Sequence, residues 1–191
     1  DIAPTGEYIV GGGKLATVIP VHSFSKFQKA IAEKKFEKEV DGIPVIQYEA
    51  VMAGEVENPG LGPLHNEFDD NGCAYTSVFI ESVAAKWSLK DLKVIEKVPA
   101  HYNIGHITAA EGDTVSPDGK WLAFFAGAKL KKISVDGGAV VNLCDTVLGR
   151  GGTWGEDGYI VASLASTGIL SRVPEGGGIP TPVTELAEGE F

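Results

Sequence analysis

Imidazole can ligate metals and move protons near neutral pH. The chain has four: His22, His65, His101 and His106. No Ser–His–Asp or Cys–His arrangement can be read from their spacing. His22 sits in a strand-like run and reads as an exposed side chain. Two acidic clusters, Asp69-Asp70 and Glu111 with Asp113, could face a cation. They lack the alternating ligand spacing of a calcium loop and read as solvated turns. Gly11-Gly12-Gly13-Lys14 has a superficial likeness to a phosphate loop. No Ser or Thr follows the Lys and the G-x-x-x-x-G frame is missing, so no nucleotide role is assigned. Cys73 and Cys144 form no C-x-x-C pair and read as buried free thiols.

The elements that must position these residues are marked by an internal repeat. Asp1-Ile2-Ala3-Pro4-Thr5-Gly6-Glu7-Tyr8-Ile9-Val10 aligns with Thr114-Val115-Ser116-Pro117-Asp118-Gly119-Lys120-Trp121-Leu122-Ala123. Weaker copies are Phe68 to Tyr75 and Trp154 to Val161. In each, a turn closed by Gly precedes an apolar, strand-forming run, the pattern of a hairpin entering a buried strand. The glycines are Gly6, Gly72, Gly119 and Gly158, at spacings of 66, 47 and 39 residues. The last two match a four-stranded propeller blade. A second marker, Ser134-Val135-Asp136-Gly137-Gly138, recurs around Glu175-Gly176-Gly177, with Asp136 and Glu175 again 39 residues apart. The longest interval holds a helical insertion. Ser25 and Gln28 have capping-box spacing, and Phe24, Phe27, Ala30 and Ile31 share one face. The spacing predicts a surface helix over about Ser25 to Lys35, its apolar stripe packed on the first blade.

The expected fold is therefore all-β: four four-stranded antiparallel propeller blades with one short helical insertion, forming half of an eight-bladed ring. Apolar residues at 43% and charged residues at 22% suit a soluble globular chain. A net charge of −10 argues against a nucleic-acid partner, since phosphate binding needs a basic face. No apolar run is long enough to predict a membrane span, and no signal peptide is evident. The chain begins inside a repeat and reads as a fragment.

The two parts of the array differ in style, and the first resembles the propeller of nitrous oxide reductase. The resemblance rests on Pro4 to Val10, Gly60-Leu61-Gly62-Pro63-Leu64-His65, Ala74-Tyr75-Thr76-Ser77, Phe79-Ile80-Glu81-Ser82, Lys86-Trp87, His101-Tyr102-Asn103-Ile104-Gly105-His106 and Ala110 to Gly119. It covers residues 1–122. In that family a sulfide-bridged copper cluster is held by seven histidines, and the resemblance carries His65 and His106 over as two of the ligands. His101 would be a neighbour of that site or a structural histidine. Beyond Leu122 the family's Asn-Lys pair is replaced by Ala126-Gly127. Residues 115–191 resemble instead the TolB-like propeller repeats attached to some bacterial serine/threonine kinases. Ser116 to Phe124, Lys131 to Gly138 and Leu170 to Pro174 carry that likeness. No kinase catalytic motif accompanies it. Both families share Ser116-Pro117-Asp118-Gly119-Lys120, so the changeover reads as an engineered join within one continuous domain.

These readings imply a non-catalytic chimeric half-propeller with no expected cofactor. Copper enters by resemblance alone, as does a periplasmic location. The run Leu186 to Phe191 resembles Ala109 to Thr114, so the end of one copy could continue into Asp1 of another. A head-to-tail homodimer would then close an eight-bladed ring. The other classes are a copper-binding fragment of the reductase type and a propeller protein-interaction module.

Overall fold

The structure is a computed structural model and describes residues 1–69, 71–100, 102–109 and 120–186. Strands β1 (Tyr8–Val10) and β2 (Val18–Ser23) pair antiparallel. An excursion follows: helix α1 (Phe24–Ala32), the hairpin β3 (Phe36–Val40) and β4 (Ile43–Ile46), and one helical turn, α2 (Tyr48–Val51). Strand β5 (Met52–Glu57) then returns beside β2. The inner-strand place of this first blade is held by Asp1 and Ile2. Asp1 exchanges backbone bonds with Val10, and Ile2 bridges Ile9.

The next three blades have four antiparallel strands each. They are β6 (Pro63–Phe68) to β7 (Cys73–Val78), β8 (Val83–Ser88) and β9 (Lys93–Pro99); then β10 (Ile107–Ala109), β11 (Trp121–Ala126), β12 (Lys129–Ser134) and β13 (Val141–Asp145); and finally β14 (Gly151–Trp154), β15 (Tyr159–Ser163), β16 (Leu170–Pro174) and β17 (Thr181–Pro182). One parallel bridge, Glu57 to Lys93, joins the outer strands of the first two blades. Strand β10 lies between β6 and β14, so the inner strands stand side by side. This is the all-β propeller-blade architecture expected from the repeat.

The turn chemistry follows the repeat. Gly6, Gly72 and Gly158 take φ values of +72°, +82° and +75°, a region open to Gly at little steric cost. Gly119 lies outside the described residues. The second marker needs a correction of one residue. Gly137 and Gly138 (φ +86° and +115°) match Gly177 and Gly178 (φ +85° and +145°), so Val135, not Asp136, corresponds to Glu175. The cause is the longer connection between β15 and β16.

Two expectations for the insertion also change. The helix starts at Phe24, and its cap is Ser23, whose hydroxyl accepts the Lys26 N–H at 3.1 Å. Ser23 ends a strand, so its backbone already has the extended shape a cap requires (φ −107°, ψ 127°). Ser25 donates instead to Glu7 at 2.8 Å. Nor is the apolar stripe packed on the blade. Only Ala30 is buried, while Phe24 and Phe27 stack at 6.4 Å and stay exposed with Ile31. Asp41 and Gly42, both at positive φ, form the tip of the β3–β4 hairpin.

Among the described residues, three apolar cores lie between successive blades. Val10, Ile19, Val21 and Val56 of the first meet Ala74 and Trp87 of the second. Tyr75, Ala84 and Val98 meet Ile107, Leu122, Phe124 and Ile133. Ala123, Leu130 and Leu143 meet Trp154, Ile160, Ala162 and Val173. Strand β11 shows how period-2 alternation builds this: Leu122 and Phe124 face one neighbour, Ala123 the other. Phe124 is fully buried and Phe27 is 39% exposed. Phe124→Ala should therefore lower stability by about 3–5 kcal/mol in urea denaturation, and Phe27→Ala by about 1 kcal/mol or less.

Candidate functional site at the inner strands

The two histidines carried over by resemblance meet. Their ring centroids are 5.1 Å apart at an interplanar angle of 73°. His65 lies on β6 where the register with β7 shifts between Pro63 and Asn66, a local irregularity of the kind that re-aims side chains. The Ser77 hydroxyl accepts its backbone N–H at 3.1 Å. His106 stands just before β10 and is exposed.

The Ile107 N–H donates to His65 Nδ1 at 3.0 Å. A neutral imidazole that accepts at Nδ1 carries its proton on Nε2. Nε2 faces two carboxylates, Asp1 Oδ1 at 3.8 Å and Glu67 Oε1 at 4.0 Å. In this arrangement both ring nitrogens are committed, and His65 offers no free lone pair to a metal. The donor set therefore does not fit a copper centre as it stands. Among the described residues, no group of three or more His, Cys, Asp and Glu is placed to hold a metal.

Asp1 is tied into the blade. Its Oδ2 accepts the backbone and side-chain N–H groups of Asn66 at 3.0 and 3.2 Å. Asn66 Oδ1 accepts the Thr76 hydroxyl at 2.6 Å, and Thr76 accepts the buried Trp87 indole N–H at 2.8 Å. A polar chain thus runs from the core to the His65 side of the site. By contrast, the buried Trp154 indole N–H has no hydrogen-bond partner among the described residues.

The other sequence candidates serve structure. The glycine run passes close to β6: Gly13 donates to the Pro63 carbonyl at 2.7 Å, and a Cβ on Gly12 would lie 2.8 Å from the Leu64 carbonyl oxygen. The signal for this was the glycine run itself, but it marks a close backbone approach. Asp69 is buried rather than solvated. It accepts the N–H groups of Asn71 and Cys73 and the Tyr75 hydroxyl, at 2.9, 2.8 and 2.9 Å. Asp70, Glu111, Asp113 and His101 lie outside the described residues. His22 is half-buried on β2, edge-on to Tyr48 at 5.5 Å, rather than freely exposed. Cys73 and Cys144 are free and half-buried, and burial pushes both thiols up, away from reactivity. An open cleft of about 230 Å³ beside His106 is bordered by Asn103, Phe125, Val147 and Leu148.

The fold and site define a class: β-propeller blades with a histidine pair at the inner strands. The comparisons agree. Residues 97–139 match the nitrous oxide reductase propeller repeat, a stretch that runs past Leu122. The chain is 33% identical over 143 residues to nitrous-oxide reductase of Ralstonia nicotianae, covering 69% of this chain and 20% of that protein. The Cupriavidus necator reductase is 35% identical over the same length, with the same coverage. That of Stutzerimonas stutzeri is 32% identical over 127 residues, covering 61% and 18%. The chain thus spans about a fifth of the length of the reductases it matches. Among solved structures, hydrazine synthase of Kuenenia stuttgartiensis superposes with a TM-score of 0.58 at 12% identity, over 90% of this chain and 43% of that one. That likeness concerns the fold alone.

Burial first, then the neighbouring His106 imidazole, pushes the pKa of His65 down from 6.5 to about 4. Below pH 6.5 the unfolded chain takes up a proton that the folded site refuses, so this group's stability is present above pH 6.5 and is lost as pH falls through about 4. The unfolding free energy from denaturant titrations should fall over that window by up to about 3 kcal/mol. His65→Gln should flatten the profile, and NMR titration should find His65 neutral at pH 5.5.

Proposed function

We propose that this chain is a non-catalytic propeller segment whose inner-strand histidines hold structure rather than copper. The Ile107 N–H to His65 Nδ1 hydrogen bond carries this reading, because it leaves the imidazole proton on Nε2. The polar chain through Asp1, Asn66, Thr76 and Trp87 supports it as a fixed structural network. Within this reading, residues 115–191 are TolB-like blades joined by design to reductase-like blades at the shared Ser116-Pro117-Asp118-Gly119 sequence. Two copies of the chain associate head to tail.

The second reading is a copper-binding fragment, favoured by the 5.1 Å approach of His65 to His106. It requires the His65 ring to release Ile107 and present a free nitrogen. An interaction module is a third reading, supported by the cleft beside His106.

Copper loading separates the first two. After incubation with copper(II) and desalting, metal analysis should find far less than one equivalent, unchanged in the His65→Ala/His106→Ala double variant. One equivalent retained by the unaltered chain and lost in the double variant would establish the copper reading instead.

A further inference from the structure

The hairpin that joins β6 to β7 carries an Asn-Gly pair, Asn71-Gly72, in the turn that the repeat marks. Both residues are exposed, and Gly72 holds φ +82° with open space where a Cβ would stand. Among the described residues, neither the Asn71 side-chain amide nor the Gly72 N–H has a hydrogen-bond partner. An Asn side chain is open to attack at Cγ by the backbone nitrogen of the next residue. Gly at that next position, lacking a Cβ, hinders the approach least.

The other four asparagines lack this opening. Asn58 precedes Pro59, which has no N–H. Asn66 is buried, its side chain bonded to Asp1 and Thr76. Asn103 precedes the buried Ile104 and donates through Nδ2 to the Phe79 carbonyl at 3.2 Å. Asn142 lies in the β12–β13 ladder before the buried Leu143. The matching turn of the fourth blade has Asp157-Gly158, but a carboxylate is a poorer electrophile than an amide. Asp157 is also held by Arg172 at 2.8 Å and by the Tyr159 N–H at 3.2 Å.

We infer that Asn71 is a site of spontaneous covalent modification to aspartate and isoaspartate, and that the isoaspartate form opens the Asp69 clamp on this hairpin. The Gly72 nitrogen bonds to Asn71 Cγ, the Cγ–Nδ2 bond breaks, and Nδ2 leaves as ammonia with the Gly72 amide proton. Water then opens the succinimide, giving a hydroxyl to one carbonyl and a proton to the Gly72 nitrogen. Opening at Cγ gives aspartate; opening at the backbone carbonyl gives isoaspartate, whose main chain is longer by a methylene. That added length falls between the two amides that Asp69 Oδ1 holds together, Asn71 N–H at 2.9 Å and Cys73 N–H at 2.8 Å. The same buried carboxylate accepts the Tyr75 hydroxyl, and Tyr75 belongs to the core between the second and third blades. Separating the amides leaves Asp69 buried with fewer donors, which favours opening of the hairpin.

The folded chain, held in warm, mildly alkaline buffer, is digested and its peptides are mapped by mass spectrometry. Asn71 should convert first, to two products with isoaspartate in excess, while Asn103 and Asn142 stay intact. Asn71→Ser should abolish both products and keep the parent thermal midpoint, because the Asn71 side chain makes no bond among the described residues. In hydrogen exchange, the separated isoaspartate form should exchange faster than the parent at Cys73 and along β7. Asn71→Asp, which keeps the normal linkage, should exchange like the parent. Conversion elsewhere with Asn71 intact, or conversion of Asn71 only after unfolding in urea, would overturn the site. An isoaspartate form that exchanges like the parent would overturn the effect on the Asp69 clamp and leave the modification standing.

Discussion

The structure depends on one constraint: each blade is a thin sheet with apolar residues on both faces, and both faces need cover. Strand alternation sends Leu122 and Phe124 one way and Ala123 the other. A blade therefore gains most of its burial from its neighbours, and the array is stable as a stack. The stack in turn sets β6 beside β10, which brings His65 to His106 and to the Ile107 amide. The chemistry of the site follows from blade packing.

Packing also decides which polar groups act together. Trp87 and Trp154 are both buried indoles, yet among the described residues Trp87 alone of the two finds a partner, Thr76, within its own blade. That bond begins the relay through Asn66 to Asp1, and the carboxylate then stands near His65 Nε2. The imidazole is held in one tautomer by the Ile107 amide on Nδ1. Such a site resists protonation because burial and a second imidazole disfavour the charged form.

The likeness to nitrous-oxide reductases, at 33–35% identity, covers about a fifth of those proteins. The matched repeat at residues 97–139 includes the described strands β11 and β12, beyond Leu122. The third and fourth blades share one geometry, as the matched ladders of β11–β12 and β15–β16 show.

Much of the architecture was legible in the chain because turn glycines and alternation are local signals. Gly6, Gly72 and Gly158 mark hairpins whose conformation depends on a few adjacent residues. Local signals failed where two candidates competed nearby, as with Ser23 and Ser25 for the helix cap, and where loop length differed, as in the one-residue shift at Gly177. The histidine pair was legible only through resemblance, since His65 and His106 are far apart in sequence. Tertiary structure alone decided that Asp69 is buried, that the glycine run makes a close approach to β6, and that Ile107 occupies His65 Nδ1. The last two are contacts between elements distant along the chain. Its existence depends on how whole blades stack, which residue types and spacing do not encode locally.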